Sequence, residues 1–269
     1  MVRRHDDWWT PVFVTHGELY AEILEDLKAG ALREVQGLRR ILTSAGVPSS
    51  GRVVDIACGI GRHIVPLAAA GYRAVGCDFS APYLARAKAY AEKFGLTDRE
   101  IRFYRTDYRR IDRRLRQARE TPFDAALSIF TSMGHLGEVG DLATFRAVRA
   151  VVRPRGVFIV EVSNRDWILR NYRSTGVMRA STGLEIHESR EFDPVRSVSS
   201  ADWTYYRGRG SKRRVLHRQR VAIRLYSLHE LVSLLERAGW TYVRSYAGLL
   251  RPGPASFAHS RMAIVVRRP

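Results

Sequence analysis

The sequence predicts an α/β fold whose core is a doubly wound, mostly parallel sheet. Residues 52–70 read as a strand, a glycine-bracketed turn (Cys58 to Gly61) and a helix, which is the opening unit of such a sheet. Short apolar runs and amphipathic segments then alternate to about residue 162. A chain of 269 residues that is 45% hydrophobic is long enough to bury one core of this kind.

The first 46 residues are predicted to form a helical segment. Apolar residues recur at helical spacing from Glu18 to Leu42, and Ser44 to Gly46 ends the pattern. The beginning of this segment is rich in aromatic residues, namely Trp8, Trp9, Phe13 and Tyr20. We expect its leucine-bearing face to pack against the edge of the sheet.

Residues 47–182 are predicted to hold the parallel core. Strands are expected at 53–56, 74–77, 101–104, 123–130 and 157–162. Ser80 is expected to cap the second helix of this region, and Asp141 a later one. Parallel strands end at the same edge of a sheet, so the polar residues that follow them should lie at one edge. Asp78, Asp107, Ser132 and Asn164 are among these residues.

The pattern changes at Gly183 to alternation of apolar and polar residues. Three runs near 184–192, 198–206 and 213–226 are separated by turn sequences, so residues 183–226 are predicted to form an inserted antiparallel meander. Ser227 and Glu230 have the spacing of a capping box that opens a helix. Two further alternating runs, near 242–246 and 261–266, predict a closing hairpin within residues 227–269.

The turn after the first strand argues against a dinucleotide ligand. A dinucleotide-binding turn reads G-x-G-x-x-G/A, whereas Ile64 stands three residues after Gly61. Asp55 precedes the glycines, where a carboxylate suits a cationic group. Asp78 follows the next strand, some twenty residues on, where a carboxylate suits ribose hydroxyls.

Asp55 to Arg62 (DIACGIGR) followed by Cys77 to Ser80 (CDFS) resembles the class I S-adenosylmethionine-dependent methyltransferases. The resemblance covers residues 50–166 and 227–268, and it implies a Rossmann-like, seven-stranded, mostly parallel sheet with S-adenosylmethionine as the cofactor. In that family's pattern Asp55 lies at the amino-acid end of the cofactor, Asp78 at the ribose and Asp107 at the adenine. The cofactor-binding residues that it implies are Asp55, Ala57, Cys58, Gly59, Gly61, Arg62, Asp78, Phe79, Ser80, Asp107, Tyr108 and Phe130.

The loop after the fourth strand, Phe130 to His135 (FTSMGH), resembles that of small-molecule methyltransferases, including those that act on amino sugars and related amines. It implies a small-molecule acceptor with an amine or hydroxyl group. His135 is expected to act as a general base, because an imidazole has a pKa suited to removing a proton; a role in orienting the acceptor stays open. The other expected substrate contacts are Ser132, Asn164 and two residues of an N-terminal lid, Phe13 and Tyr20.

The charge of the chain leaves a second function open. Lys and Arg number 45 against 27 Asp and Glu, a formal net charge of +18, which suits an anionic partner such as nucleic acid. Arg218, Arg220 and Arg224 share one face of the third meander run and are the candidate surface. An RNA or protein methyltransferase is therefore the alternative function. The FTSMGH loop and the lack of an RNA-binding motif favour the small molecule.

Other features bear on partners and on the compartment. No apolar run reaches the length of a membrane span, and the first residues do not read as a signal peptide. The two cysteines and eight histidines lack disulfide or metal-ligand spacing. We therefore expect a cytoplasmic protein with no metal ion and no membrane association, in which the meander leaves homodimerisation open.

Overall fold

The computed structural model of the chain describes residues 9–208, 210–250 and 253–269. Its main feature is a seven-stranded sheet of order β10-β11-β5-β4-β1-β2-β3. The strands are β1 Arg52–Ile56, β2 Arg73–Asp78, β3 Ile101–Arg105, β4 Phe123–Ser128, β5 Val152–Ser163, β10 Thr241–Tyr246 and β11 Arg261–Arg267. Strands β1 to β5 pair in parallel, and β11 is antiparallel to both β5 and β10. The predicted sheet and closing hairpin are confirmed.

Helices cover both faces of this sheet. They are α3 Ile64–Ala69, α4 Ala81–Lys93, α5 Ile111–Gln117, α6 Gly137–Arg149, α7 Arg165–Arg170 and α8 Leu228–Arg237. Strands β1 and β4 are almost wholly buried, because helices lie over both of their sides; their near-continuous apolar runs follow from this. Ser80 caps α4, and Ser227 with Glu230 forms the capping box of α8, as predicted.

The prediction that Asp141 caps a helix is wrong. Helix α6 begins at Gly137, so Asp141 lies inside the helix and is not its cap. The apolar pattern from Leu142 onward marked the buried face but not the first turn. That turn carries the exposed Val139 and is not apolar in pattern.

The N-terminal segment forms a π-helical turn, Pro11–Thr15, then α1 Gly17–Asp26 and α2 Lys28–Ser44. Trp8 and the rest of residues 1–8 lie outside the described residues. Helix α2 packs on the sheet through its predicted apolar face. Gly37 is required there, because a Cβ at this position would lie 1.8 Å from the carbonyl oxygen of Leu249.

A second, four-stranded antiparallel sheet follows β5. Its strands are β6 Thr175–Arg179, β7 Leu184–Asp193, β8 Val198–Arg207 and β9 Arg214–Arg224, in that order. The three predicted runs form β7, β8 and β9. Strand β6 was missed, and it lies within the range 47–182 that the sequence assigned to the core. The inner face of this sheet packs on α1 through Ile23, Leu184, Ile186 and Tyr205, which places the N-terminal segment between the two sheets.

Candidate functional site

A cavity of about 380 Å³ lies at the carboxyl edge of the parallel strands. The ends of β1 to β4 form one side, and the N-terminal segment and the second sheet form the other. Most of the sequence-predicted site residues line it: Phe13, Tyr20, Asp55, Ala57, Cys58, Gly59, Arg62, Asp78, Phe79, Asp107, Tyr108, Phe130, Ser132 and His135. Gly61, Ser80 and Asn164 are not among the lining residues.

Asp78, the last residue of β2, is held in one orientation by two backbone groups. The amide of Gly59 donates to its Oδ2 at 2.9 Å, and the amide of Ser80 donates to its Oδ1 at 2.8 Å. Burial raises the pKa of Asp78 to about 6, although these amides favour the charged form. A fixed carboxylate with lone pairs to spare suits ligand hydroxyls that donate to it.

Asp55 lies beside it, near the end of β1. It is 2% exposed, and its Oδ1 has no hydrogen-bond partner within the described part of the chain. Burial, and then the proximity of Asp78, raise the pKa of Asp55 well above its usual range. A buried, unpartnered carboxylate oxygen at a cavity wall is a position for a ligand donor, and a cationic donor would satisfy it best.

Gly59 and Gly61, the two glycines of the turn, differ in what surrounds them. Both have positive φ, +56° at Gly59 and +79° at Gly61. A Cβ on Gly59 would meet nothing within 4 Å, so the backbone there is open to a ligand. A Cβ on Gly61 would lie 2.9 Å from Val65 Cγ2 and 3.1 Å from Ala87 Cβ. The absence of a Cβ at Gly61 therefore lets α3 pack against α4, and the ligand contact of Gly61 stays a prediction.

The loop after β4 is strained where it meets the cavity. Phe130 and Thr131 are consecutive non-glycine residues with φ of +69° and +61°, a conformation that the surrounding structure must impose. Glu161 imposes it, since its Oε2 accepts from the Phe130 amide at 3.0 Å and its carbonyl from the Thr131 amide at 3.0 Å. The Phe130 ring lies 4.2 Å from the guanidinium of Arg62, a buried cation on the cavity wall.

The carboxylate of Asp107 has a partner within the chain, Arg109. It forms a bidentate pair with Arg109 at 2.5 and 3.0 Å and accepts from the Arg109 amide at 2.9 Å. Hydrogen bonds and charge from Arg109 outweigh burial and lower the pKa of Asp107. Tyr108, the next residue, is buried and presents an aromatic wall to the cavity.

The N-terminal segment covers the cavity from the side of β2. The Ser80 hydroxyl donates to the carbonyl of Phe13 at 2.6 Å, and the Trp9 ring meets Phe79 edge-on with centroids 4.7 Å apart. Ser80 is fully buried and lines no part of the cavity. Its hydroxyl therefore contacts the segment that covers the site, and its expected contact with the cofactor stays a prediction.

His135 lies in this cavity under the same segment. Its ring stacks on Phe13 with centroids 5.6 Å apart and planes at 25°. Burial lowers the pKa of His135 to about 4, so the imidazole is neutral at physiological pH. A ring nitrogen of the neutral imidazole can accept a hydrogen bond from the amine or hydroxyl group of the methyl acceptor, but the imidazole is a weak base.

Asn164 has hydrogen-bond partners within the chain, and its substrate contact stays a prediction. Its Nδ2 donates to the carbonyls of Ser256 and His259 at 2.8 and 2.9 Å, and its Oδ1 caps α7. These bonds turn it toward the loop before β11. Asn164 lies at the predicted carboxyl edge of the sheet, but it is not among the residues that line the cavity.

Asp141 is a further residue whose function the sequence did not show. Its Oδ2 accepts from the Gly134 amide at 2.8 Å and from the Tyr226 hydroxyl at 2.7 Å, and the residue is wholly buried. Gly134 also meets the end of β9, where the Arg224 amide donates to its carbonyl at 3.0 Å. Asp141 thus positions the residue next to His135 and ties the loop to the second sheet.

Asp141 predicts a pH dependence of stability. Burial raises its pKa to about 7, above the usual value near 4 of an unfolded carboxyl. The folded state therefore favours the protonated form, so stability from this group is full below about pH 4 and is lost as the pH rises to about 7. In Asp141→Asn the amide oxygen can keep both hydrogen bonds, because both donors contact the same oxygen.

The free energy of unfolding in urea, measured at about pH 5 and pH 8, checks this. We expect it to fall less between the two values in Asp141→Asn than in the native protein. The exposed Asp98→Asn serves as the matched control and should behave like the native protein. An unchanged pH dependence in Asp141→Asn would contradict the assignment.

The arginine face is largely neutralised within the chain. Arg220 pairs with Glu191 and Asp202, and Arg224 with Glu138 and Glu230. Such pairs weaken the field that a polyanion would meet. No group of three or more possible metal ligands occurs in the described part of the chain, and no helix of residues 9–208, 210–250 and 253–269 is long and apolar enough to cross a membrane.

These features fit S-adenosylmethionine. Asp55 Oδ1 offers an unpartnered acceptor for an ammonium group, Asp78 a fixed acceptor for ribose hydroxyls, and Gly59 an uncovered backbone. Phe79 and Tyr108 offer apolar walls to a base. The seven-stranded sheet, with its strand order, has the fold of the class I S-adenosylmethionine-dependent methyltransferases.

Comparison with known proteins agrees. Residues 53–156 match the family described as "Methyltransferase domain", so the chain carries a domain of that family. A ubiquinone biosynthesis O-methyltransferase of Rhodopseudomonas palustris is 33% identical over 116 residues, 43% of this chain and 41% of the relative. The chain thus spans less than half the length of that relative.

Two solved structures share the fold. An S-adenosylmethionine-dependent methyltransferase from Clostridium acetobutylicum superposes with a TM-score of 0.72 at 13% identity, covering 88% of this chain and 91% of that one. CalS10, an amino pentose methyltransferase from Micromonospora echinaspora solved with S-adenosylmethionine bound, has a TM-score of 0.63 at 19% identity, covering 88% and 90%. The predicted fold class is confirmed, and residues 53–156 match a methyltransferase domain, as the sequence resemblance implied.

Proposed function

We propose that this chain is an S-adenosylmethionine-dependent methyltransferase that acts on a small-molecule acceptor with an amine or hydroxyl group. One observation carries the proposal: the same cavity is lined both by the carboxylates Asp55 and Asp78 and by His135 and the second sheet. A cofactor and a small acceptor can therefore meet in one space. The names of the relatives, which include O-methyltransferases and an amino pentose methyltransferase, support the same class.

The residues of the chain would act mainly by positioning. When bound, the cofactor supplies an electrophilic methyl group on a sulfonium. Asp55, Gly59 and Asp78 would hold it at the sheet edge, and Phe13, Tyr20 and Trp203 exclude water from the other side. His135 would accept a hydrogen bond from the acceptor and orient its nucleophilic atom, which accounts for much of the rate enhancement that such a reaction needs.

The nucleic-acid and protein alternative has less support. Its surface would use Arg218, Arg220 and Arg224, of which two are paired within the chain. We place the protein in the cytoplasm, where the buried free thiols of Cys58 and Cys77 stay reduced. Homodimerisation stays a prediction, with the half-exposed edge strand β6 as the surface to examine.

Calorimetric titration tests the proposal. We expect S-adenosylhomocysteine to bind with a dissociation constant on the order of micromolar, and NAD and NADP not to bind, because the turn lacks the third small residue of a dinucleotide site. Methyl transfer is then followed as radiolabel from S-adenosylmethionine into a panel of small amines and phenols, with total RNA as the comparison. Binding of NADH without affinity for S-adenosylhomocysteine would refute the assignment.

A further inference from the structure

The second sheet contributes one acidic side chain to the described lining of the cavity, Glu188 of β7. The other lining residues of this sheet are apolar or aromatic, namely Met178, Trp203, Val221, Ala222 and Ile223. Glu188 is only 8% exposed. A carboxylate in such a wall is costly unless it has partners, so its surroundings show what the wall can bind.

One oxygen of Glu188 is anchored within the sheet. Its Oε2 pairs with Nη2 of Arg190, two residues along the same strand. Gly176 lies directly opposite Glu188 on β6, and a Cβ there would lie 2.7 Å from Glu188 Oε2 and 2.5 Å from Arg190 Nη2. The glycine therefore makes the space in which this pair sits, and the carboxylate has a fixed place beside the cavity.

Aromatic rings stand next to that carboxylate. Trp203 is the cross-strand partner of Glu188 on β8, and the Tyr20 ring stacks on Trp203 with centroids 5.5 Å apart and planes at 26°. All three residues line the cavity. An ammonium group at this position would be stabilised by the charge of the carboxylate and by the electron-rich faces of the indole and phenol rings. A neutral hydroxyl group would be stabilised by a hydrogen bond alone.

Arg190, the cation of the second sheet that pairs with Glu188 Oε2, is not among the residues that line the cavity. The arginines that line the cavity, within the described residues, are Arg62, Arg109 and Arg261. Arg62 and Arg261 contact the Phe130 ring, and Arg109 pairs with Asp107. Each therefore belongs to the sheet-edge side of the cavity, opposite the wall that carries Glu188.

We propose that Glu188, Trp203 and Tyr20 form an acceptor subsite for a protonated amine, so that the small molecule bound there carries an ammonium group. This inference rests on the proposed function, whose acceptor it narrows from an amine or hydroxyl compound to an amine-bearing one. The subsite recognises the charge of the acceptor, and the carboxylates Asp55 and Asp78 recognise the cofactor.

The test is calorimetric titration of the protein saturated with S-adenosylhomocysteine, using two ring compounds of the same shape, cyclohexylamine and cyclohexanol. At about pH 7.5 the alkylamine is protonated. We expect the amine to bind about 10-fold tighter or more than the alcohol, and Glu188→Gln to reduce this ratio to about one. Glu185→Gln is the matched control, since Glu185 lies on the same strand and faces away from the apolar row that Glu188 continues.

The outcomes separate this inference from the proposed function. If S-adenosylhomocysteine does not bind, the proposed function fails. If it binds and the two ring compounds bind equally, or neither binds, or the ratio persists in Glu188→Gln, only the amine subsite is overturned. The native protein alone decides between amine and alcohol, and the binding of S-adenosylhomocysteine by Glu188→Gln checks that this variant folds. Arg190, 35% exposed, can reach solvent when its partner is removed.

Discussion

His135→Ala is expected to lower the turnover number about 100-fold or more and to leave the affinity for S-adenosylhomocysteine nearly unchanged. His135 lines the same cavity as the carboxylates of Asp55 and Asp78. It follows the strained loop that hydrogen bonds from Phe130 to Glu161 and from Gly134 to Asp141 hold in place. The substitution removes a hydrogen-bond acceptor and the stacking partner of Phe13. It should therefore affect the positioning of the methyl acceptor and not the binding of the cofactor.

The lowered pKa of His135 decides what the pH profile should show. With a pKa of about 4 the imidazole is neutral from about pH 5 upward, so it contributes no inflection near 6.5, the ordinary value for histidine. His135→Asn, which retains a hydrogen-bond acceptor, should recover part of the lost turnover if the residue orients the acceptor. The exposed His229→Ala is the matched control. An acidic limb near 6.5 that disappears in His135→Ala would point to a general base with an ordinary pKa instead.

Asp78→Ala is expected to weaken binding of S-adenosylhomocysteine by about 1.5–3 kcal/mol, the range for hydrogen bonds to a charged group. Calorimetric titration measures this as a loss of about 10- to 150-fold in affinity. The reason is geometric: the amides of Gly59 and Ser80 hold the carboxylate before any ligand arrives, so no ordering cost reduces its contribution.

The same carboxylate predicts how binding depends on pH. Its pKa is raised to about 6, so the ionised form, which accepts from ligand hydroxyls, predominates above this value. Affinity should fall as the pH drops below about 6, and this fall should be smaller in Asp78→Ala, where Asp55 is the remaining cofactor-site carboxylate with a raised pKa. Asp98→Ala removes an exposed carboxylate and should change neither quantity. Full affinity in Asp78→Ala would remove this residue from the cofactor site.

Several features could be predicted because they depend on neighbours along the chain. The strand, turn and helix of residues 52–70 and the capping box at Ser227 are local patterns, and the structure contains both.

Other features depended on contacts between distant parts of the chain. Asp141 meets Tyr226, 85 positions away, and nothing near Asp141 in the sequence marks that contact. Gly61 serves helix packing, although Gly59, two residues earlier, leaves its backbone open. Ser80 and Asn164 lie at the predicted edge but turn toward Phe13 and the loop before β11. A motif specifies where the backbone goes, whereas the packing of other elements decides which side chains face the cavity.

Glu188 shows the same limit most clearly. It continues the row of Leu184 and Ile186, so the alternation of β7 already placed a carboxylate on an apolar face. The sequence by itself determined the resemblance to the methyltransferases, the seven-stranded sheet and the position of the carboxylates Asp55 and Asp78 at its edge, because these follow from local patterns of apolar, glycine and acidic residues. Only the tertiary structure decided that the face bearing Glu188 closes over that edge, because the second sheet is positioned by its packing on α1, through contacts between residues more than 150 positions apart.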